Sequence, residues 1–319
     1  MKPTILIAAS FPPRLLGQLA DRYTIVQLEH LEPERLALQA REARVLITLG
    51  SLKTDGPLMD ALPKLGMISC YGTGFEGVDR TAARARGIVV THAGDANSTA
   101  VAEFAMGLII ATARDMVRGD RYLRRGQWRG DIIERLKMTP GLAGQRLGIY
   151  GLGSIGAKIA QRAAAFEMEI GYHNRRRRQG VAYPYHETLV ELAKWADILL
   201  VAVRADGSNR HAVNAPVLAA LGPKGHMVNI SRGIVVDEVA LCDALEAGTI
   251  AGAALDVYEQ EPLPSAHPLW GLPNVLLTPH MAGHGPYLDE RRFEIMADNC
   301  RAFAAGRPLR NQVDKASWF

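Results

Sequence analysis

Apolar runs of four to six residues, each followed by a mixed amphipathic stretch, set the rhythm of the chain. The runs at 4–9, 24–28, 45–49, 65–70 and 87–91 read as buried strands, and helices over 33–42, 55–62 and 78–86 separate them. Alternation of this kind predicts a parallel sheet covered by helices. The pattern then changes to a helical period over 100–125, with Phe104, Leu108, Ile109 and Ala113 on one stripe. A second alternating series follows. Its strands are expected at 146–150, 168–172, 198–203, 226–230, 251–255 and 274–277, and its helices at 155–165, 187–194, 214–221 and 237–246. A last helix covers roughly 289–305. The expected fold class is α/β, with two doubly wound parallel-sheet domains. Because the last helix follows the second series, it is expected to cross back to the first domain through hinges near 98–101 and 285–290, with a cleft between the domains. The assignment is 1–98 plus 288–319 for one domain and 99–287 for the other.

Composition narrows the class. A chain of 319 residues that is 48% hydrophobic and 22% charged is long enough for two cores and has the balance of a soluble globular protein. A net charge of +4 gives no support for nucleic-acid binding. No run of 18 apolar residues suggests a membrane span, and the first residues lack the pattern of a signal peptide. Cys70, Cys242 and Cys300 are isolated and odd in number, which fits reduced thiols of a cytoplasmic protein, and no spacing suggests a metal.

Candidate chemistry begins where the second series begins. The strand at 146–150 runs into Gly151-Leu152-Gly153-Ser154-Ile155-Gly156, and a helix follows. Gly151 permits the turn, Gly153 lets backbone approach a pyrophosphate, and Gly156 lets the helix pack on the sheet; the helix N-terminus receives the anion. The next strand ends in Asn174-Arg175-Arg176-Arg177-Arg178. An acid at that point would accept from the ribose hydroxyls of NAD(H). Arginines instead attract a 2′-phosphate, so NADPH is preferred and NADH remains possible. Arg175 and Arg176 come first after the strand and are the expected contacts; Arg177 and Arg178 are expected to face solvent.

Three further strand ends carry polar groups: Ser231-Arg232-Gly233, Asp256 through Pro262, and Thr278-Pro279-His280. Ligands meet open α/β sheets at the carboxyl ends of strands, so Arg232, Glu261 and His280 are candidate neighbours. An arginine can grip a carboxylate and polarise the adjoining carbonyl, and a histidine supported by a carboxylate can give a proton to a developing alkoxide. Taken singly, Arg232 reads equally as a surface cation, Glu261 as a loop charge and His280 as a cap.

Taken together, these motifs resemble the D-2-hydroxyacid dehydrogenase family, and within it look closest to the NADPH-dependent glyoxylate/hydroxypyruvate reductases. The resemblance covers about residues 45–315 and includes Tyr71 to Asp79, the glycine turn, Ser231-Arg232-Gly233 with Asp237-Glu238, Asp256 to Pro262, and Thr278-Pro279-His280. It implies a flavodoxin-like first domain that carries much of the substrate side and a Rossmann-like second domain. It implies that Arg232 binds the substrate carboxylate and carbonyl, that Glu261 orients His280, and that His280 is the acid/base. Asp256 would hold the nicotinamide carboxamide, with Val203 also on the cofactor side. Leu49 and the backbone of Gly72, Thr73 and Gly74 would sit on the substrate side. Asn174, Arg175 and Arg176 match the stretch that selects the 2′-phosphate. The family commonly forms homodimers through the long helix after the first hinge, where Arg114 to Arg129 and Trp128 fall. The implied reaction is reduction of a small 2-oxoacid such as glyoxylate or hydroxypyruvate to the D-2-hydroxyacid. 2-Ketogluconate and phenylpyruvate are alternative substrates, and a nucleotide-sensing corepressor or scaffold is the alternative of another class. Three loops depart from the family pattern: 92–98, 204–211 and 283–285.

Overall fold

The structure is a computed structural model that describes residues 2–8, 13–28, 40–128, 134 and 139–313. Most of the helix predicted over 33–42, and Arg129, lie outside the described residues. Two compact units result: Met1–Asn97 with His284–Phe319, and Ser98–Gly283.

The first unit is a five-stranded parallel sheet of β1 (Thr4–Ala8), β2 (Thr24–Gln27), β3 (Ala43–Thr48), β4 (Met67–Cys70) and β5 (Val89–Thr91), in the order β2-β1-β3-β4-β5. Alternate side chains point to opposite faces. Leu6, Leu46 and Ile68 therefore meet Leu58 and Met59 of α2 (Gly56–Asp60) and Ala83 of α3 (Arg80–Ala85). Ile5, Ile7, Val45 and Met67 meet Leu19 of α1 (Pro13–Ala20) on the other face. That face also packs Phe293, Met296 and Ala297 of the last helix, Pro286–Ala304, so the chain's end completes the core of its beginning. Helix α1 has no counterpart among the sequence expectations.

The second unit opens with α4 (Ser98–Ala113) and α5 (Met116–Arg124). One continuous helix is expected from the sequence over 100–125, but Asp115 takes a left-handed φ of 51° and breaks it. No right-handed helix continues through that geometry. Six parallel strands follow: β6 (Arg146–Tyr150), β7 (Glu169–His173), β8 (Ile198–Val201), β9 (His226–Asn229), β10 (Gly252–Leu255) and β11 (Val275–Leu277), ordered β11-β10-β9-β8-β6-β7. A parallel bridge from Tyr172 to Tyr185 adds the trace of a seventh strand outside β7. The chain winds away from β6 in one direction and returns to β8 in the other, so the switch point lies between them, beside the turn that follows β6.

Both faces of this sheet are covered, which explains why β8 and β10 are buried along their whole length and read as unbroken apolar runs. Leu147, Ile149, Leu200 and Val228 pack on α4 and on α6 (Ser154–Ala165). Leu199, Val201, Met227 and Leu255 pack on α7 (Leu189–Trp195), α8 (Ala215–Leu221) and α9 (Glu238–Glu246). These last three helices start at Thr188, Asn214 and Asp237, whose side chains accept backbone N–H groups of the first turn. At α7 the cap is reciprocal, with Glu191 reaching back to the Thr188 N–H at 3.0 Å.

Two glycines of the turn are required by the fold itself. Gly151 has a φ of 103°, and a Cβ on it would come within 2.5 Å of the Val203 nitrogen. A Cβ on Gly156 would overlap the Gly151 carbonyl oxygen. Gly156→Ala is therefore expected to destabilise the protein by about 1–3 kcal/mol through overpacking against backbone. Urea unfolding would register this as a lowered midpoint; an unchanged midpoint would mean that α6 can move away from β6.

Candidate active site

The segment after β6 forms the first half of the site. Gly153 is the N-cap of α6 and supplies no side-chain cap, and a Cβ built on it would point into open space. The first turn of α6 thus presents uncapped N–H groups beside room for an anion, which fits a dinucleotide pyrophosphate. Leu152 is held on both sides: its N–H donates to Asn174 Oδ1 at 2.7 Å, and its carbonyl accepts from Arg178 at 2.6 Å. Arg178 is exposed, as expected from the sequence, and its guanidinium also reaches back to the glycine turn. Helical or strand periodicity carries no information about a side chain that folds back over a turn. Arg175 and Arg176 are exposed at the end of β7, and Arg175 pairs with Asp206 at 3.0 Å. Asn174 keeps its amide Nδ2 as a donor, since its Oδ1 is taken by Leu152. Val203 lies in the loop past β8, backbone against Gly151.

The second half is built on the ends of β9, β10 and β11. Asn229, 1% exposed, closes β9 by accepting from the Ser231 N–H and hydroxyl at 3.0 Å each and donating to the Arg232 carbonyl at 3.1 Å. Arg232 itself donates to the Ser231 carbonyl at 2.7 Å. Gly233 follows because any Cβ there would overlap the backbone of Tyr258 and Glu259. This close approach seats the Arg232 segment on the segment that carries Glu261.

Asp256 follows β10 and is 1% exposed. One carboxylate oxygen accepts from the Thr278 hydroxyl at 2.7 Å and the Met281 N–H at 2.9 Å; the other accepts from the Ala282 N–H at 2.9 Å. The loop from Thr278 to Ala282 is thereby fastened around its middle residue, His280. That residue lies three positions beyond β11 rather than at the strand's end, with a left-handed φ of 49°. The geometry turns its ring toward Glu261: Nδ1 and Oε2 are 2.6 Å apart. The other carboxylate oxygen of Glu261 accepts from the Tyr258 N–H at 3.0 Å. The Tyr258 hydroxyl, in turn, donates to the Thr278 carbonyl at 2.9 Å.

Partial burial raises the Glu261 carboxyl, but the His280 hydrogen bond, the Tyr258 N–H and the charges of His280 and Arg232 outweigh it, and the group sits below its ordinary value. Glu261 is therefore ionised at neutral pH and accepts from Nδ1–H. That leaves the opposite ring nitrogen, Nε2, to exchange a proton with a ligand. The arrangement has a cation able to bind a carboxylate and an imidazole backed by a carboxylate, the two parts needed to protonate a carbonyl oxygen.

Leu49, Gly72, Thr73 and Gly74 belong to the first unit. Leu49 is exposed just beyond β3. Among the described residues, the N–H groups of Gly72, Thr73 and Gly74 enter no backbone hydrogen bond, while the Gly72 carbonyl accepts from Ala93 at 2.9 Å. A turn with its N–H groups uncommitted can receive an anion. Gly50 is needed beside it, because a Cβ there would overlap the Gly74 carbonyl.

Asn229, Gly233, Tyr258 and Thr278 are absent from the sequence-based site. Gly233 and Thr278 adjoin Arg232 and His280 in short polar motifs, which was signal enough to suspect them. The hydroxyl of Tyr258 bridging two strand ends had none.

Comparison with known proteins gives the class. Residues 106–282 match the family described as D-isomer specific 2-hydroxyacid dehydrogenase, NAD binding domain. The chain is 40% identical over 280 residues to hydroxyphenylpyruvate reductase of Plectranthus scutellarioides, covering 87% of this chain and 88% of that one. It is 36% identical over 313 residues to a glyoxylate/hydroxypyruvate reductase A of Arabidopsis thaliana, covering 97% and 98%. Among solved structures, the NADPH-dependent glyoxylate/hydroxypyruvate reductase of Sinorhizobium meliloti, in complex with NADP and malonate, superposes with a TM-score of 0.89 at 37% identity, covering 100% of this chain and 98% of that one. The chain belongs to the D-2-hydroxyacid dehydrogenase family and is an NAD(P)-dependent oxidoreductase.

The ionised Glu261 makes a signed prediction. A carboxyl depressed in the folded state contributes stability that is present above its unfolded value and lost as pH falls through its folded value. The stability of the native protein should therefore fall below pH ~4, and Glu261→Gln should flatten part of that fall. Urea midpoints measured from pH 3 to 7 would check it; identical slopes for the two proteins would show that Glu261 is not linked to folding.

Proposed function

We propose that the protein reduces small 2-oxoacids, glyoxylate and hydroxypyruvate first among them, to D-2-hydroxyacids with NADPH. The observation that carries this is the 2.6 Å pair of His280 Nδ1 and Glu261, with Arg232 close enough to stabilise the same carboxylate. The identities to glyoxylate/hydroxypyruvate reductases along nearly the full chain, and the complex of the Sinorhizobium meliloti protein with NADP, support the substrate class and the cofactor.

In this reading, Arg232 grips the substrate carboxylate in a fork and polarises the neighbouring carbonyl. His280 enters the reaction as imidazolium, its second proton on Nε2, and gives that proton to the carbonyl oxygen as negative charge builds there. Glu261 holds the ring at Nδ1 and compensates the imidazolium charge, the role a buried carboxylate plays in hydrolase triads. The nicotinamide of the bound cofactor supplies the hydride for the carbonyl carbon. Gly151 to Gly156 hold its pyrophosphate, and Asn174, Arg175 and Arg176 receive the 2′-phosphate. Val203 would lie on the cofactor side, and Asp256, which fastens the His280 loop, would hold the carboxamide. Leu49 and the Gly72–Gly74 turn contribute from the first unit. D stereochemistry follows from the family.

A second substrate reading is favoured by the 40% identity to hydroxyphenylpyruvate reductase: an aromatic 2-oxoacid of the phenylpyruvate type. We further propose a cytoplasmic homodimer. Met116, Leu123 and Trp128 are more than half exposed along one short stretch, an apolar surface of the kind a second copy would cover. Cys70, Cys242 and Cys300 are free and buried, as in a reducing compartment. No helix among the described residues is long and apolar enough to cross a membrane.

Initial rates with glyoxylate, hydroxypyruvate, hydroxyphenylpyruvate and 2-ketogluconate, each with NADPH and NADH, test the assignment. The highest kcat/KM is expected with NADPH and a small 2-oxoacid; no oxidation of either cofactor by any 2-oxoacid would end it. His280→Ala should lower kcat at least ~100-fold while leaving NADPH binding nearly unchanged, as for loss of a general acid. Near-normal turnover of the folded variant would remove His280 from the chemistry.

A further inference from the structure

The loop after β8, one of those that depart from the family pattern, is folded on itself. Asn209, 7% exposed, is its internal pin: Oδ1 accepts the Asp206 N–H and Nδ2 donates to the Arg204 carbonyl, each at 2.8 Å. Asp206 is fixed in turn. Its Oδ1 accepts from the Ser208 N–H at 2.9 Å and the Ser208 hydroxyl at 2.5 Å. Its Oδ2 faces the other way and accepts from Arg175 at 3.0 Å. The carboxylate is thus a fixed group with a side-chain exposure of 29%, whereas the arginine it holds is 69% exposed.

Arg175 is the first cation after Asn174 at the end of β7. A phosphate recognised there must share or displace Asp206, and it brings negative charge beside a carboxylate that its own loop holds in place. A ribose with a free 2′-hydroxyl requires no such exchange. We propose that Asp206 is a specificity-determining residue of the cofactor site, a resident counterion that occupies Arg175 when no 2′-phosphate is bound and so weakens NADPH binding without weakening NADH binding. The proposal rests on the reading of Asn174, Arg175 and Arg176 as a 2′-phosphate site. It means that the preference for NADPH is set by two opposed elements: the arginine run raises it, and the loop after β8 restrains it.

Asp206→Asn separates the charge from the fold, because the amide oxygen can still accept from Ser208 while the amide nitrogen replaces the oxygen that holds Arg175. The measurement is calorimetric binding of 2′,5′-ADP and of 5′-AMP to the cofactor-free full chain, for the native protein, Asp206→Asn, Arg175→Ala and the double variant, with melting temperatures to show that each is folded. Asp206→Asn should bind 2′,5′-ADP about three- to tenfold tighter, the range of a partly exposed ion pair plus a relieved like charge. Its binding of 5′-AMP should change by less than about twofold, within the effect of a distant surface charge. Arg175→Ala should weaken 2′,5′-ADP selectively, and in that background the gain from Asp206→Asn should shrink. Unchanged or weaker 2′,5′-ADP binding by Asp206→Asn would overturn the proposal and make Asp206 an orienting partner of Arg175; a gain shared equally by both probes would also overturn it. Equal loss of both probes in Arg175→Ala would instead overturn the 2′-phosphate reading, and the proposal with it.

Discussion

The buried carboxylate of Asp256 is the point on which the site depends. A charge taken out of water is costly unless hydrogen bonds replace its hydration, and here three donors do so: the Thr278 hydroxyl and the N–H groups of Met281 and Ala282. All three come from the loop that follows β11. The requirement to satisfy one carboxylate therefore dictates the path of five residues and holds His280 in a left-handed conformation that a free loop would seldom adopt. The imidazole is then in place for Glu261, and Glu261 is itself fixed by the Tyr258 N–H. Strain at one residue and burial of one charge are both offset by the same set of hydrogen bonds.

Close backbone approach is the second constraint. Gly233 lets the Arg232 segment lie on the Tyr258–Glu259 backbone, and Gly151 and Gly156 let α6 start directly above β6. In both places glycine is required by neighbouring protein atoms. Gly153 differs, since its missing Cβ faces open space, which fits the proposed approach of a pyrophosphate. One motif of three glycines thus divides its roles, as expected from the sequence for each position.

Much of this was legible in the chain. The two alternating series foretold two parallel sheets, because strands covered on both faces leave unbroken apolar runs separated by helical stretches. The pairing of Glu261 with His280 was legible through resemblance, and spacing alone left it open. What escaped detection depends on side chains that fold back on the backbone or on single residues with unusual φ. Asp115 breaks a helix that its apolar stripe makes continuous. Arg178 is exposed, as a run of four arginines suggests, yet its guanidinium also donates to the Leu152 carbonyl, which no periodicity shows. Asp206 takes hold of Arg175 across 31 residues, which no local pattern can encode.

The most direct test of the account is a crystal structure of the protein with NADPH and a non-reducible 2-oxoacid analogue such as oxamate. The account predicts that the analogue's carboxylate lies on Arg232, that its carbonyl oxygen accepts from His280 Nε2, and that Nδ1 remains on Glu261. An analogue bound beside the nicotinamide with the His280 ring turned away from it, or with Glu261 detached from the ring, would contradict it.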